Sequence, residues 1–250
     1  PPPDSTTPGA TPRSSLTGSR APACPCYDGG GMKVVALVQA RLASTRLPRK
    51  ALREISSRPL IGHLIDRLRQ MRGLDEIALA IGDASGNEPL VAFAKAESLP
   101  WFVGSETDVL GRFIGAAEAF KADAILRATP DCPLWAPDLG GQVLAAFRQG
   151  FDYVHNTRPG VDGFDTEVFT LAALQMAGRQ GTGREHVTSW MRSTLRVIHV
   201  QQAPELWHLK LSVDTQEDFD RVSAIFAHLP LDQRYEWSNT LFAARAAGLA

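Results

Sequence analysis

The stretch Met32-Lys33-Val34-Val35-Ala36-Leu37-Val38-Gln39-Ala40-Arg41-Leu42-Ala43-Ser44-Thr45-Arg46-Leu47-Pro48-Arg49-Lys50 begins as a short apolar run and ends with four cations and two hydroxyls within ten residues. The run Val34 to Gln39 reads as a buried first strand, apolar at nearly every position as a strand covered on both faces must be. The segment from Arg41 to Lys50 leaves that strand for the edge of a sheet. Arginine forks pair with phosphate oxygens two at a time, lysine acts as a point charge, and Ser44 or backbone N–H groups complete a cradle. The loop has no glycines between Gln39 and Lys50, so it is not a Walker loop. It admits two readings, a triphosphate cradle and a solvated basic loop, and its place after the first strand favours the first.

Working outward, short apolar runs alternate with amphipathic stretches, the pattern of a mostly parallel sheet covered by helices in a three-layer α/β/α arrangement. Strands are expected at Val34–Gln39, Glu76–Ile81, Trp101–Val103, Ala124–Arg127, Tyr153–Asn156, Phe164–Phe169, Leu195–Val200 and Leu209–Val213. Helices are expected at Pro59–Met71, Glu88–Glu97, Val109–Phe120, Pro137–Gln149, Leu171–Gly178, Glu185–Arg192 and Glu217–Ala227, with a short amphipathic closing helix within Tyr235–Ala250. Ahead of Met32, residues 1–31 hold seven of the 17 prolines and five of the 21 glycines with almost no large apolar side chains. Such a segment buries too little surface to offset its ordering entropy. The expectation is a disordered tail over 1–31 and a folded domain over 32–250, with Met32 read as the native start.

Composition narrows the function. The 250 residues carry 26 Lys and Arg against 27 Asp and Glu, a formal charge of −1, and 44% are apolar. No overall basic field is present for a polyanion, so nucleic acid is not an expected partner and phosphate recognition must be local. No stretch approaches the length of a membrane span and no secretory signal is evident, so a soluble cytoplasmic protein is expected. Cys24, Cys26 and Cys132 are too few for a disulfide framework or a four-ligand zinc site.

Two acidic segments come directly after predicted strands, where open sheets of this kind bind ligands. Asp131 stands between Pro130 and Pro133, held either as a metal ligand or simply as a turn residue. Asp214 leads Asp214-Thr215-Gln216-Glu217-Asp218, where Asp214 with Glu217, or Thr215 with Asp218, also forms a capping box for the last long helix. Together they place two carboxylates at the sheet edge that carries the cationic loop. Magnesium binds through one or two carboxylates plus substrate phosphates, so cations, acids and a crevice suggest metal-assisted chemistry on a nucleoside triphosphate.

Gln39 to Pro48 resembles the signature loop of the cytidylyltransferases that activate acidic sugars, such as acylneuraminate and 3-deoxy-manno-octulosonate cytidylyltransferases. The chain is most similar to their spore-coat polysaccharide branch through Gly104-Ser105-Glu106-Thr107-Asp108-Val109-Leu110, Asp131-Cys132-Pro133-Leu134, Asp162 to Phe169, Arg184-Glu185-His186-Val187-Thr188 and Val213 to Phe219. The resemblance implies a nucleotide-diphospho-sugar transferase fold, CTP as co-substrate, Mg²⁺ as cofactor and a possible homodimer. By position it implies that Gln39, Arg41, Ser44, Arg46 and Lys50 bind the nucleotide, with Ser105 and Asp108 near it. Asp131 and Asp214 would hold the metal, and Arg46, Lys50, Asp131 and Asp214 would form the catalytic set. Asp165, Glu167, Arg184, Glu185 and His186 would fall in the acceptor pocket. Arg158, Arg184 and Lys210 read either as cations for an acidic or phosphorylated acceptor or as solvated surface residues.

The implied reaction is in-line attack of an acceptor oxygen on the α-phosphorus of CTP, with pyrophosphate leaving. The chain departs from the family where glycine is usual, at Arg49 and at Pro130, and proline forbids backbone conformations that glycine allows. Two rivals stand beside this reading. A nucleotide-sugar-dependent glycosyltransferase usually carries a close Asp-x-Asp pair after a central strand, and no such pair sits there in this chain. A non-catalytic nucleotide-binding subunit, inactivated through Pro130 and Arg49, is opposed by the presence of both Asp131 and Asp214. His186 reads either as an acceptor base or as a structural residue, and His63 as a core histidine.

Overall fold

Strand β1 (Val34–Ala40) is buried along its whole length except at Gln39, which is partly open. It pairs in parallel with β4 (Glu76–Gly82) on one side and β6 (Ala124–Ala128) on the other. The structure is a computed structural model that describes residues 31–157, 159–180, 184–204, 207–230 and 235–250. Beyond β4 the sheet ends in β5 (Trp101–Gly104), and beyond β6 it continues through β8 (Glu167–Thr170), β7 (Tyr153–His155) and β9 (Val197–His199). In the order β5-β4-β1-β6-β8-β7-β9, β8 alone runs against the others.

Alternate residues of β1 serve two cores. Val34, Ala36, Val38 and Ala40 pack with α1 (Leu60–Gln70), α2 (Glu88–Ala96) and α4 (Pro137–Phe147). Val35 and Leu37 pack on the other face with α3 (Val109–Ala119), α5 (Leu171–Arg179) and α6 (Ser189–Thr194). On α1 the apolar stripe is Ile61, Leu64, Ile65 and Leu68, the i, i+3, i+4, i+7 spacing of one helical face. Each such fully buried side chain contributes roughly 1.5–3 kcal/mol over an exposed one. This is the α/β/α layering read from the sequence.

A third core matters most for function. It joins α7 (Gln216–Ala227) and α8 (Trp237–Ala246) to Leu47, Leu134, Leu211 and Val213. Leu47 adjoins Arg46 and Val213 adjoins Asp214, so apolar packing anchors the polar segments from beneath.

Several expected elements differ. Leu209–Val213 forms no strand; it meets neighbours at an isolated Asp162–Lys210 bridge and through Leu211 N and Val213 N, which donate to the carbonyls of Asp162 and Asp131. Its alternation reflects burial of Leu211 and Val213 in the third core. The strand expected from Phe164 begins only at Glu167, because the Asn156 side chain binds Phe164 O and Thr166 N in place of a full ladder. The helix expected at Glu185–Arg192 runs Ser189–Thr194 after a turn. A small hairpin of β2 (Glu54–Ile55) and β3 (Arg58–Pro59) was not foreseen, since its two-residue turn uses Ser56 and Ser57 at φ 51° and 61° rather than the usual Asn-Gly. Residues 1–30 of the expected tail, and Arg158, lie outside the described residues.

Candidate active site

The cationic loop is pinned at three points. Leu42 and Leu47 are buried, and Leu42 N donates to Asn87 Oδ1 at 2.9 Å. Arg49 N then closes the loop onto Leu42 O at 3.3 Å. Arg41, Ala43, Thr45 and Arg46 are left exposed above these anchors. Arg49, where glycine was expected, takes the left-handed conformation at φ 55°, ψ 26°. The turn glycine normally serves is therefore kept by an arginine, directly before the short 3₁₀ turn that carries Lys50.

Lys50 Nζ spends its three protons on three acceptors from two other loops. It donates to Asp131 Oδ2 at 3.0 Å, Asp214 Oδ1 at 2.9 Å and Val213 O at 3.0 Å. Burial pulls its pKa down, but the charges and hydrogen bonds of Asp131 and Asp214 outweigh that and raise it. Arg46 adds a second, more exposed cation at 3.2 Å from Asp214. Lys210, on the far side, reaches Asp214 Oδ2 at 3.3 Å and Asp218 Oδ2 at 2.5 Å. Burial alone would raise the Asp214 carboxyl; Lys50 and Lys210 together hold it below the usual carboxylate range.

The two competing capping assignments resolve in favour of Thr215 and Asp218, which form the reciprocal box at the start of α7. Asp218 also accepts from Asp214 N at 3.0 Å, so the cap orients the backbone of Asp214 while leaving its carboxylate to the site. A cavity of about 450 Å³ opens here. Gln39, Arg41, Ser44, Arg46, Lys50, Asp131 and Asp214 all line it. Thr129 and Pro130 complete one wall; Pro130 is the departure from glycine noted above, and Thr129 was not singled out from sequence.

The other expected site residues are placed differently. Ser105 Oγ accepts from Asp108 N, and Asp108 caps α3 through Gly111 N while pairing with Arg184 at 2.6 Å. These three therefore brace one another at the N-terminus of α3 instead of lining the cavity. Glu185 and His186 are exposed in the turn before α6. Glu167 is 1% exposed, and both of its oxygens are taken by Arg127, Arg192 and Tyr153. The structure thus places Glu167 in a buried ion-pair cluster on β8. Asp165 accepts from Gly163 N at 3.1 Å, and burial together with the charges of Asp162, Glu167 and Asp131 lifts its pKa to about 6. His63 binds Ile55 O at 2.8 Å against Phe226, a core role.

No group of three or more His, Cys, Asp or Glu suited to a metal occurs among the described residues. A cation here must share two carboxylates and take its other ligands elsewhere. Asp131 and Asp214 already share one cation, the Lys50 ammonium, and among the described residues Asp131 Oδ1 has only the Cys132 thiol, at 3.7 Å, as a hydrogen-bond partner. Hard oxygen donors with open positions suit Mg²⁺ completed by phosphates and water.

The chain is similar to several known proteins. The cytidylyltransferase family model matches residues 35–236. The uncharacterized protein MJ1063 of Methanocaldococcus jannaschii is 32% identical over 209 residues, covering 80% of this chain and 86% of its own. The spore coat polysaccharide biosynthesis protein SpsF of Bacillus subtilis is 32% identical over 206 residues, covering 77% and 86%. Among solved structures, a cytidylyltransferase from Leptospira borgpetersenii superposes with a TM-score of 0.81 at 23% identity, over 87% of this chain and 95% of that one.

Proposed function

Because this chain belongs to the cytidylyltransferase family and is a nucleotidyltransferase, we propose that it transfers CMP from CTP to a sugar, sugar acid or phosphorylated small acceptor, releasing pyrophosphate. The observation that supports this most directly is the Lys50 ammonium seated between Asp131 and Asp214 at a cavity walled by Arg41, Ser44 and Arg46.

The triphosphate would lie along the loop after β1, its β- and γ-phosphates toward Arg46 and Lys50. Negative charge grows there as the pyrophosphate leaves, so these cations act where stabilisation lowers the barrier. Arg41 and Ser44 position the nucleotide, and holding its α-phosphorus in line with an acceptor oxygen supplies much of the rate. Asp131 and Asp214 would hold Mg²⁺, which when bound neutralises phosphate charge and templates the reacting groups. Asp165, whose carboxyl feels the charge of Asp131, would face the acceptor.

The name of the Bacillus relative supports polysaccharide precursors as the acceptor class. The test is pyrophosphate release with CTP, Mg²⁺ and a panel of sugar acids, alditol phosphates and other phosphorylated acceptors. Release that depends on one acceptor and on CTP supports the proposal. Nucleotide release from a nucleotide-sugar, without pyrophosphate, would replace it with glycosyl transfer.

A further inference from the structure

Three strands contribute one polar row on the face that carries α3, α5 and α6. Leu37 of β1 stands opposite Arg127 of β6, and Arg127 stands opposite Glu167 of β8. Gln39 is two residues beyond Leu37, on the same side of the sheet. The side chains connect in that order. Arg127 Nη2 donates to Gln39 Oε1 at 3.2 Å, and Arg127 Nη1 donates to Glu167 Oε2 at 2.6 Å. Glu167 Oε1 accepts from Tyr153 Oη at 2.6 Å and from Arg192 Nη2 at 2.7 Å. Burial would raise the Glu167 carboxyl, but Arg127 and Arg192 bring it down to about 2, so it stays ionised and keeps Arg127 anchored.

The anchored fork has a chemical consequence at the cavity. A guanidinium has five donors and no acceptor, so only an oxygen can face it. The Gln39 carboxamide is thereby oriented: its oxygen is committed to Arg127, and its NH₂ is the end left over. That NH₂ makes no hydrogen bond among the described residues, and Gln39 lines the 450 Å³ cavity. An unanchored glutamine could present either end to a ligand. This one presents donors, which suit an oxygen of a nucleotide and reject a donor in the same place.

We propose that Arg127, held by Glu167, is a positioning residue that orients Gln39 to donate its amide NH₂ to an oxygen of the bound nucleotide. This rests on the proposed placement of CTP in that cavity. Arg127 touches no substrate; its effect passes through Gln39.

The test is a double-mutant cycle read as CTP affinity by calorimetry in the presence of Mg²⁺, on the full chain. Arg127→Lys keeps a positive charge for Glu167 but lacks the fork that serves both partners. Gln39→Ala should weaken CTP binding about 10-fold in the wild-type background, the size of one hydrogen bond to a charged group, and less than about 2-fold in the Arg127→Lys background. Gln39→Glu, which puts an acceptor where the NH₂ stood, should weaken binding at least as much as Gln39→Ala. If Arg127→Lys does not fold, the doubly neutral Arg127→Met, Glu167→Gln pair takes its place with the same expectation. A purely structural Arg127 would lower the melting temperature yet leave the Gln39→Ala increment unchanged, and that additivity overturns the inference. So does a Gln39→Ala variant that binds CTP like the wild type. Absence of CTP binding by the wild type would instead refute the nucleotide-site assignment, a different and separable result.

Discussion

The backbone N–H of Val213 donates to the carbonyl oxygen of Asp131 at 2.7 Å. This bond joins two acidic loops that are distant in the chain and sets their carboxylates on the same side. Lys50 then inserts from a third segment and takes both. The site is therefore assembled from three chain segments, each anchored by a buried leucine or valine beneath it.

Replacing Lys50 with methionine keeps the stem and removes the charge. Without divalent cation, Asp131 and Asp214 are left facing each other, and stability should fall by about 1–2 kcal/mol, a modest loss because all three groups are partly solvated. Millimolar Mg²⁺ should restore more of the melting temperature in this variant than it adds to the wild type. Turnover should drop on the order of 10²–10³-fold. Calorimetric melting with and without Mg²⁺, together with pyrophosphate release, checks both arms; unchanged turnover would remove Lys50 from the catalytic set.

Arg46 offers the contrast. Its side chain is 64% exposed, and its pair with Asp214 is a solvated one. Arg46→Ala should leave stability within about 0.5 kcal/mol of the wild type. If Arg46 meets the leaving phosphates, kcat/KM for CTP should nonetheless fall on the order of 10²-fold. A variant that loses stability without losing catalytic efficiency would mark Arg46 as a structural residue.

The legible part of this molecule was what local pattern encodes. Apolar continuity from Val34 to Val38 identified a strand buried on both faces, and strand-end position put Asp131 and the cationic loop at one edge of the sheet. Less was legible where partners come from elsewhere in the chain. Nothing local distinguishes Glu167 as an ion-pair residue, because Arg127, Tyr153 and Arg192 reach it from two strands and a helix. Asn87, which pins Leu42, carries no sequence signal at all. The alternation from Leu209 to Val213 gave a true burial pattern but a false strand, since burial in the third core needs no ladder.

Arg49 tests the departure from glycine. At φ 55° a side chain costs roughly 1–2 kcal/mol relative to a right-handed residue, while glycine in the unfolded chain carries extra entropy worth about 0.5–1 kcal/mol. Arg49→Gly should therefore be equal to the wild type or more stable by up to about 1 kcal/mol. Arg49→Val, whose branched Cβ fits this region worst, should be less stable by about 1–2 kcal/mol. Urea unfolding of the three proteins ranks them, and a Val variant as stable as the Gly variant would mean that the turn is not left-handed in solution.

Asp165 sets a pH dependence whose sign comes from its environment. Burial first, then the charges of Asp162, Glu167 and Asp131, raise its pKa from 3.8 to about 6 in the folded protein. A carboxyl with a raised folded pKa is bound to its proton more tightly in the native state than in the unfolded chain. Its ionisation therefore opposes folding: stability falls as pH rises from about 4 through about 6, and the loss persists above that. Asp165→Asn removes the charge while keeping an oxygen to accept from Gly163 N. The variant should be more stable than the wild type by about 1–2 kcal/mol at pH 7.5, a value kept below the full linkage figure because the group is partly solvated. At pH 3.5, where the carboxyl is largely protonated in the native state, most of that advantage should disappear. Chemical denaturation at the two pH values measures the difference directly. A gain that is the same at both would assign it to packing, and no gain at pH 7.5 would show that the Asp165 carboxylate is compensated by a partner in solution.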